Sequence, residues 1–538
     1  MIVDARTLAP HARVEADVCI VGGGTAGVTL ARELIRSSLR VCVLESGGFN
    51  SDPETQALYA GENIGYPYYP LDSARARCLG GSSTLWHVPL GDGRVGPRLR
   101  PLDPIDFEQR DWVPYSGWPI SKSQLDPYYE RAQAVCRIQP VSFEVRDWSL
   151  QTAGAQPPPV GEDVETILYK FCSRDLFARD YPREVGAAEN TTTFLYANVL
   201  EIVPNDRLDR IDALEVATLN GNRFSVAART FVLAAGGIET PRLLLLSNRK
   251  QAAGLGNRHD IVGRFFMEHL HFWSGILVPS EPDLFQRTAL FNDIHAVDGV
   301  DVVAKLALNE RTLRRERLLN QNIQLMPRFR PDPFKYRVLN PEPVASIRAM
   351  VRNKDRQLAH FRRIASRWQD LAVACFRRIR GPLPTKPVFV LANMTEQMPN
   401  PESRVMLGRE RDAFGQNRVM LDWKITRADI ASVVRTQEII GGSLQRHGWG
   451  RFYRELLDHE PPPDTHGGYH HIGTTRMHSD TRQGVVDPDC RVHGIGNLYI
   501  AGSSVFPTGG YANPVLTTVA LTIRLADHVK DLARQKAA

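Results

Sequence analysis

Apolar residues run unbroken from Val18 to Val21, glycines follow at Gly22, Gly23, Gly24 and Gly27, and apolar positions then recur at helical spacing at Val28, Ala31, Leu34 and Ile35. A second apolar run, Val41 to Leu44, stops at Glu45. This order predicts strand, tight turn, helix and parallel strand, the βαβ unit of an α/β fold. Between Thr192 and Leu246 the pattern changes. Phe194 to Val203, Ile211 to Thr218 and Phe224 to Ala234 read as strands, and Asn220-Gly221 reads as a hairpin turn between the last two, so antiparallel pairing is expected there. From about residue 266 to 460 the pattern is less regular, with strand-like runs at Val388 to Leu391 and Arg404 to Leu407 around a helical, arginine-rich portion. Towards the end, Leu498, Tyr499 and Ile500 read as a short strand, and the apolar spacing from Val515 to Val529 predicts a closing helix.

A chain of 538 residues with 43% apolar side chains can build more than one core. The net charge of +6 is small for this length and its basic residues are spread widely, so charge alone points to neither nucleic acid nor membrane. Residues 1–16 lack the apolar centre of a secretory signal, and no run of about 18 uncharged apolar residues occurs, so a cytoplasmic location is expected. Cys19, Cys42, Cys78, Cys136, Cys172, Cys375 and Cys490 include no C-x-x-C pair and are read as reduced and structural.

Candidate chemistry begins at the glycines. Gly22-x-Gly24-x-x-Gly27 puts glycine where a strand turns into a helix, where backbone must approach a pyrophosphate, and where helix packs close on strand. Thr25 and Ala26 then open the helix, whose unpaired N–H groups and dipole favour phosphate. Glu45 stands where a carboxylate accepts hydrogen bonds from ribose hydroxyls and disfavours a ribose phosphate. The fingerprint alone does not separate FAD from NAD.

Other segments decide that. Gly467 to Met477 (GGYHHIGTTRM), followed by VVDPDCRVHGIGNLYIAGSSVFPTGGYANPVLT, closely resembles the C-terminal signature of the glucose-methanol-choline (GMC) oxidoreductases. Arg77 to Ser83 (RCLGGSS), Ala235 to Leu245 (AGGIETPRLLL) and Glu396 to Val405 (EQMPNPESRV) match further family motifs in the expected order. The pattern is most similar to the bacterial branch related to pyranose oxidases and sugar or polyol dehydrogenases. The resemblance implies a Rossmann-like FAD-binding domain plus a substrate domain with an antiparallel sheet and helices. Its expected bounds are 1–265 for the first part of the FAD domain, with a substrate-domain excursion near 91–190, then 266–464 for the substrate domain and 465–538 for the return of the chain to the FAD domain.

In family terms Gly502 and Ser503 would lie near the pyrophosphate, Val199 near the adenine, and Gly80, Gly81 and Ser82 towards the flavin. The catalytic histidine of the family falls on His470 rather than His471, and the second catalytic position falls on Asn513, ahead of Pro514, both of which would also border the cofactor. Relatives with covalent flavin carry histidine where this chain has Leu85, so a dissociable FAD is expected. His87 falls where relatives carry a small residue facing the reactive nitrogen of the flavin.

The chemistry expected is oxidation of an alcohol to a carbonyl. A neutral imidazole at His470 is suited to take the hydroxyl proton, and the carboxamide of Asn513 to donate to the developing alkoxide. A small-molecule alcohol, with dioxygen or a quinone as electron acceptor, would complete the reaction. His471 is read as structural, and Arg476 as a structural ion pair. A competing reading groups His466, His470, His471 and His478 with Asp464 and Asp480 as a metal site, but Gly467-Gly468 is a poor helix interior for the i, i+4 pair, so no metal is expected. A non-redox lyase or cyclase on the same FAD scaffold is the main rival. The arginine-rich residues 347–380 read as a solvated helical insert, with a membrane or anionic partner as the lesser alternative.

Overall fold

The apolar run ahead of the glycines becomes the strand Arg13–Val21, the helix Thr25–Leu34 follows, and Val41–Leu44 returns parallel to the first strand with Val18 opposite Val41. The computed structural model describes residues 1–90, 92–139, 142–148, 150, 158–335, 383–456, 460–462 and 464–537. The βαβ unit lies inside an eight-stranded sheet. Its order runs Ile2–Asp4, Thr191–Leu195, Val41–Leu44, Arg13–Val21, Arg223–Leu233, Ile211–Ala217, Asn198–Pro204, and Leu498–Ile500 adds to Arg223–Leu233. That last pairing is parallel, Phe231 opposite Leu498, and it brings the end of the chain back to the first strand's neighbour. Phe231, Val232 and Leu233 are fully buried between the helical layers, and burial of such side chains contributes about 2 kcal/mol each. The closing helix, Val515–Ala537, packs on Thr25–Leu34 and on Lys122–Val135.

Two sequence expectations change here. The run Phe194 to Val203 is not one strand: Tyr196 takes a positive φ of 58° and breaks it into Thr191–Leu195 and Asn198–Pro204. The residues flanking the turn, Phe194-Leu195 and Val199-Leu200, are apolar, so the apolar run continues through it. The antiparallel hairpin through Asn220-Gly221 forms as expected, with Gly221 at φ 93°, but its second strand also pairs in parallel with Arg13–Val21.

A second, nine-stranded sheet is antiparallel throughout. It runs Gly450–Tyr453, Leu270–Pro279, Thr385–Thr395, Gln321–Pro331, Val300–Leu308, Val164–Phe171, Arg98–Leu99, with His466–Gly467 beside Leu270–Pro279 and His295–Val297 beside Val300–Leu308. Helix Arg427–Arg446 starts at a capping box between Thr426 and Asp429, each side chain accepting the other's backbone N–H. It buries Ile439, Ile440 and Leu444 against Leu277, Phe389 and Leu391 of the sheet. Residues 347–380 lie outside the described residues. Among those described, no helix is long and apolar enough to cross a membrane, and the six cysteines are free and buried.

Candidate active site

One cavity opens between the glycine turn and the returning end of the chain. Gly22, Gly24, Thr25, Ala26, Glu45, Gly81, Ser82, Val199, Gly502, Ser503, Pro514 and His470 all line it. Gly22 has φ 108°, which a side chain would strain, and its Cβ would stand 2.6 Å from the Ala234 carbonyl oxygen. Gly24 and Gly502 serve differently: a Cβ on Gly502 would meet nothing within 4 Å, and one on Gly24 only Gly81 Cα at 3.8 Å. Their bare backbones thus border open space at the start of a helix whose Gly24 cap offers no side-chain acceptor. That is the shape a dinucleotide pyrophosphate requires, and the residues present fit the FAD that the sequence resemblance implies.

The remaining cradle residues sit just behind this wall. Gly27 lets the helix approach the strand, since its Cβ would lie 1.9 Å from the Gly22 oxygen. Gly80, at φ 93°, donates its N–H to the Gly23 carbonyl at 2.8 Å and so pins the second glycine loop to the first. His87 is exposed, its Nδ1 3.2 Å from the Leu85 carbonyl; the cavity wall is formed instead by Trp86. The loop leaves the short helix Gly81–Leu85 in extended conformation at Trp86, and alternation turns the next side chain outward.

Glu45 is buried, with Oε2 accepting the Gly23 N–H at 2.8 Å and Oε1 the Gly47 N–H at 2.8 Å. Burial pushes its carboxyl up, and those N–H groups together with Arg77 oppose the rise. Next to it lies a cluster the sequence reading did not single out. Glu239 pairs with Arg75 at 2.8 Å, Arg77 at 3.3 Å and Arg242 at 3.1 Å, and Arg242 also pairs with Asp412 at 2.6 Å. Burial alone would raise Glu239, but the three guanidinium groups outweigh it and hold the carboxyl at about 2. Arg77 donates to Asn198 Oδ1 at 2.8 Å, both residues line the cavity, and Arg77 Nε is buried without a partner.

The two C-terminal candidates meet. His470 Nε2 lies 3.0 Å from Asn513 Nδ2, and Asn513 Oδ1 is buried without a partner. His470 sits just past the strand His466–Gly467, where Tyr469 takes a positive φ of 59°. Glu268 holds that loop: its Oε2 accepts the N–H of Gly468 and of His470, each at 2.9 Å, while Tyr68 donates its hydroxyl to Oε1. Burial pushes the Glu268 carboxyl up to about 7. On its other side His470 Nδ1 lies 2.8 Å from His269 Nδ1, and His269 Nε2 lies 3.3 Å from the Gly509 carbonyl. Burial drives His470 well below the usual imidazole range, with His269 and His271 adding to the effect, and it lowers His269 to about 4.

His269 and His271 were missed by sequence reasoning, although His-x-His opening a strand is a visible signal that two imidazoles share a face. His271 is 5.9 Å from His470 between ring centres, and its Nε2 is buried without a partner. Across the sheet it stands opposite Met394, which stands opposite Asn322, whose Oδ1 accepts from Lys305 at 2.9 Å. Arg98 follows on the edge strand, with Nε likewise unpartnered. This polar face looks towards His470.

The histidines of the metal reading diverge. His466–Gly467 is strand rather than helix, His471 bonds Tyr68 at 2.9 Å, and His478 accepts the Asp480 N–H at 2.9 Å. Arg476 makes no ion pair among the described residues; it lies over the Phe265 ring, 4.4 Å from its centre, and donates to the Tyr115 carbonyl. Its side chain is buried, with Nε and Nη1 lacking a hydrogen-bond partner among the described residues.

Comparison with known proteins agrees with the geometry. Residues 178–271 and 399–522 match the N- and C-terminal models of the GMC oxidoreductases. The chain is 24% identical to the fructose dehydrogenase large subunit of Gluconobacter japonicus, over 97% of this chain and 99% of that protein. It is 23% identical to the 2-methyl-1,2-propanediol dehydrogenase of Mycolicibacterium austroafricanum, over 96% of this chain and 95% of that one. Its fold is similar to a crystal structure of formate oxidase, with a TM-score of 0.55 at 17% identity, covering 98% of this chain and 100% of the other. The glycine cradle, the returning C-terminal segment and both family matches lead to one conclusion: the chain carries the N- and C-terminal domains of the GMC oxidoreductases.

Proposed function

We propose that this enzyme oxidises an alcohol to a carbonyl compound, with FAD held in the glycine-lined cavity and His470 taking the hydroxyl proton. The observation that carries the reading is His470 Nε2 facing Asn513 Nδ2 at 3.0 Å on the rim of that cavity. FAD, when bound, supplies the two-electron acceptor; everything else is work for the chain's own residues. The Gly24 and Gly502 backbones and the start of helix Thr25–Leu34 receive the pyrophosphate, and Glu45 the ribose. Leu85 offers no nucleophile for a covalent link, so the cofactor is dissociable.

His470, kept neutral by its burial, accepts the substrate O–H proton at Nε2. Asn513 donates its amide N–H to the alkoxide oxygen that develops, stabilising charge without titrating. Loop Gly467–His470, clamped to Glu268 through two backbone N–H bonds, keeps the imidazole from turning away. The unpartnered His271 Nε2 and Arg98 Nε offer further hydrogen-bonding groups on the facing sheet, which suits a substrate with more than one hydroxyl, such as a sugar or polyol.

Anaerobic spectroscopy tests the reading. The purified yellow protein should bleach when mixed with members of a panel of sugars, polyols and simple alcohols, forming one carbonyl per flavin reduced. Reoxidation by air or by a quinone then identifies the acceptor. A flavin that stays oxidised with every alcohol, while some substrate is still converted, would replace this function with a non-redox lyase or cyclase reaction.

A further inference from the structure

A histidine can act as a base only through the ring nitrogen that lacks a proton, and in a neutral imidazole the choice between the two nitrogens is made by its partners. At His470 that choice can be traced to a fixed group. The Gly509 carbonyl can only accept, so the His269 Nε2 beside it, at 3.3 Å, must carry hydrogen. A neutral His269 then presents a lone pair at Nδ1. The 2.8 Å contact between the two Nδ1 atoms holds one proton, and it therefore belongs to His470. His470 is left with its lone pair at Nε2, the atom that faces Asn513 Nδ2 at 3.0 Å. The opposite tautomer would set a nitrogen lone pair against the Gly509 oxygen and require Asn513 to present its own oxygen. An amide can turn over to do so; a backbone carbonyl cannot.

We propose that His269 is a positioning residue: by relaying the acceptor character of the Gly509 carbonyl through its own ring, it fixes His470 in the tautomer whose free nitrogen faces the substrate. The inference rests on the reading of His470 as base. When the substrate proton arrives at Nε2, the His470 ring carries both protons and remains bound through Nδ1–H to the unprotonated Nδ1 of His269. The Asn513 amide N–H, which had faced the Nε2 lone pair, turns to the alkoxide oxygen.

Two replacements separate tautomer control from simple packing. In His269→Asn the side-chain oxygen falls near the position of Nδ1 and can still accept from His470; in His269→Leu the volume is kept and the acceptor is gone. Flavin reduction should stay within about 10-fold of wild type in the asparagine variant and fall by about 100-fold in the leucine variant, with FAD content unchanged in both. Histidine-selective 15N NMR of the holoenzyme gives a second readout, with the His470 signals assigned by their loss in His470→Gln. Its Nε2 should be unprotonated in wild type and His269→Asn and become a mixture of tautomers in His269→Leu. Equal rates in the two variants, or a protonated Nε2 in wild type, would overturn the proposal. If no alcohol reduces the wild-type flavin, the function proposed above fails, and the NMR comparison alone still decides whether His269 sets the tautomer.

Discussion

Two clusters of buried ionisable groups share the walls of one cavity, and they are built on opposite principles. Around Glu239 the charges are present and paired: three guanidinium groups surround a carboxyl held at about 2, and Asp412 takes up part of the excess. Around His470 the charges are suppressed. Burial lowers His470, His269 and His271 alike and raises Glu268 to about 7, so that the imidazoles are neutral, and a hydrogen bond joins His470 to His269. The first arrangement suits structure, because an ion pair with satisfied hydrogen bonds resists any change of protonation. The second suits chemistry, because a neutral ring with one free nitrogen is ready to accept a proton.

The contrast breaks most severely at Glu239. Glu239→Gln leaves Arg75 and Arg77 without a carboxylate and should destabilise the protein by about 4 kcal/mol, measured by urea unfolding, with FAD retention lost at the same time. The same cluster sets an acid response in the wild type. A carboxyl held at about 2 when folded contributes stability that is complete above the unfolded value near 4.5 and is lost as pH falls towards 2, about 3 kcal/mol in all. If Glu239→Gln unfolds at the wild-type urea concentration, the cluster does not carry the charge balance assigned to it.

In the neutral cluster the effects fall on rate rather than stability. Asn513→Ala removes the donor to the developing alkoxide and should slow flavin reduction by about 100-fold while FAD stays bound; an unchanged rate in stopped flow would remove Asn513 from the mechanism. A smaller effect tests the suppression of charge itself. The base must be unprotonated, so kcat/KM should be full above the His470 pKa and decline as pH falls through it. Because burial lowers that pKa, the acid limb should lie below about 6.5, and a limb at or above that value would contradict a buried neutral base.

Much of this was legible in the chain. The turn at Gly22, the acid at Glu45 and the returning strand at Leu498 announce themselves through apolar period and glycine placement, because backbone geometry near a phosphate leaves few alternatives. His470 and Asn513 were found through motif resemblance, and the fold does bring them to hydrogen-bond distance. What stayed hidden depends on long-range meeting. Arg75 and Arg77 stand about 160 residues from Glu239 and look like ordinary surface charges until the sheet closes, and His269 acquires its partner only across the gap to His470. His87 is exposed, and its neighbour Trp86 lines the cavity.

The role proposed for the neutral cluster is the proton transfer of alcohol oxidation. Its most direct test is a single-turnover measurement on His470→Ala, following the flavin absorbance after anaerobic mixing with an alcohol that reduces the wild type. Reduction should be at least about 100-fold slower with one FAD still bound per chain. Reduction at the wild-type rate would show that the proton leaves by another route and that His470 is not the base.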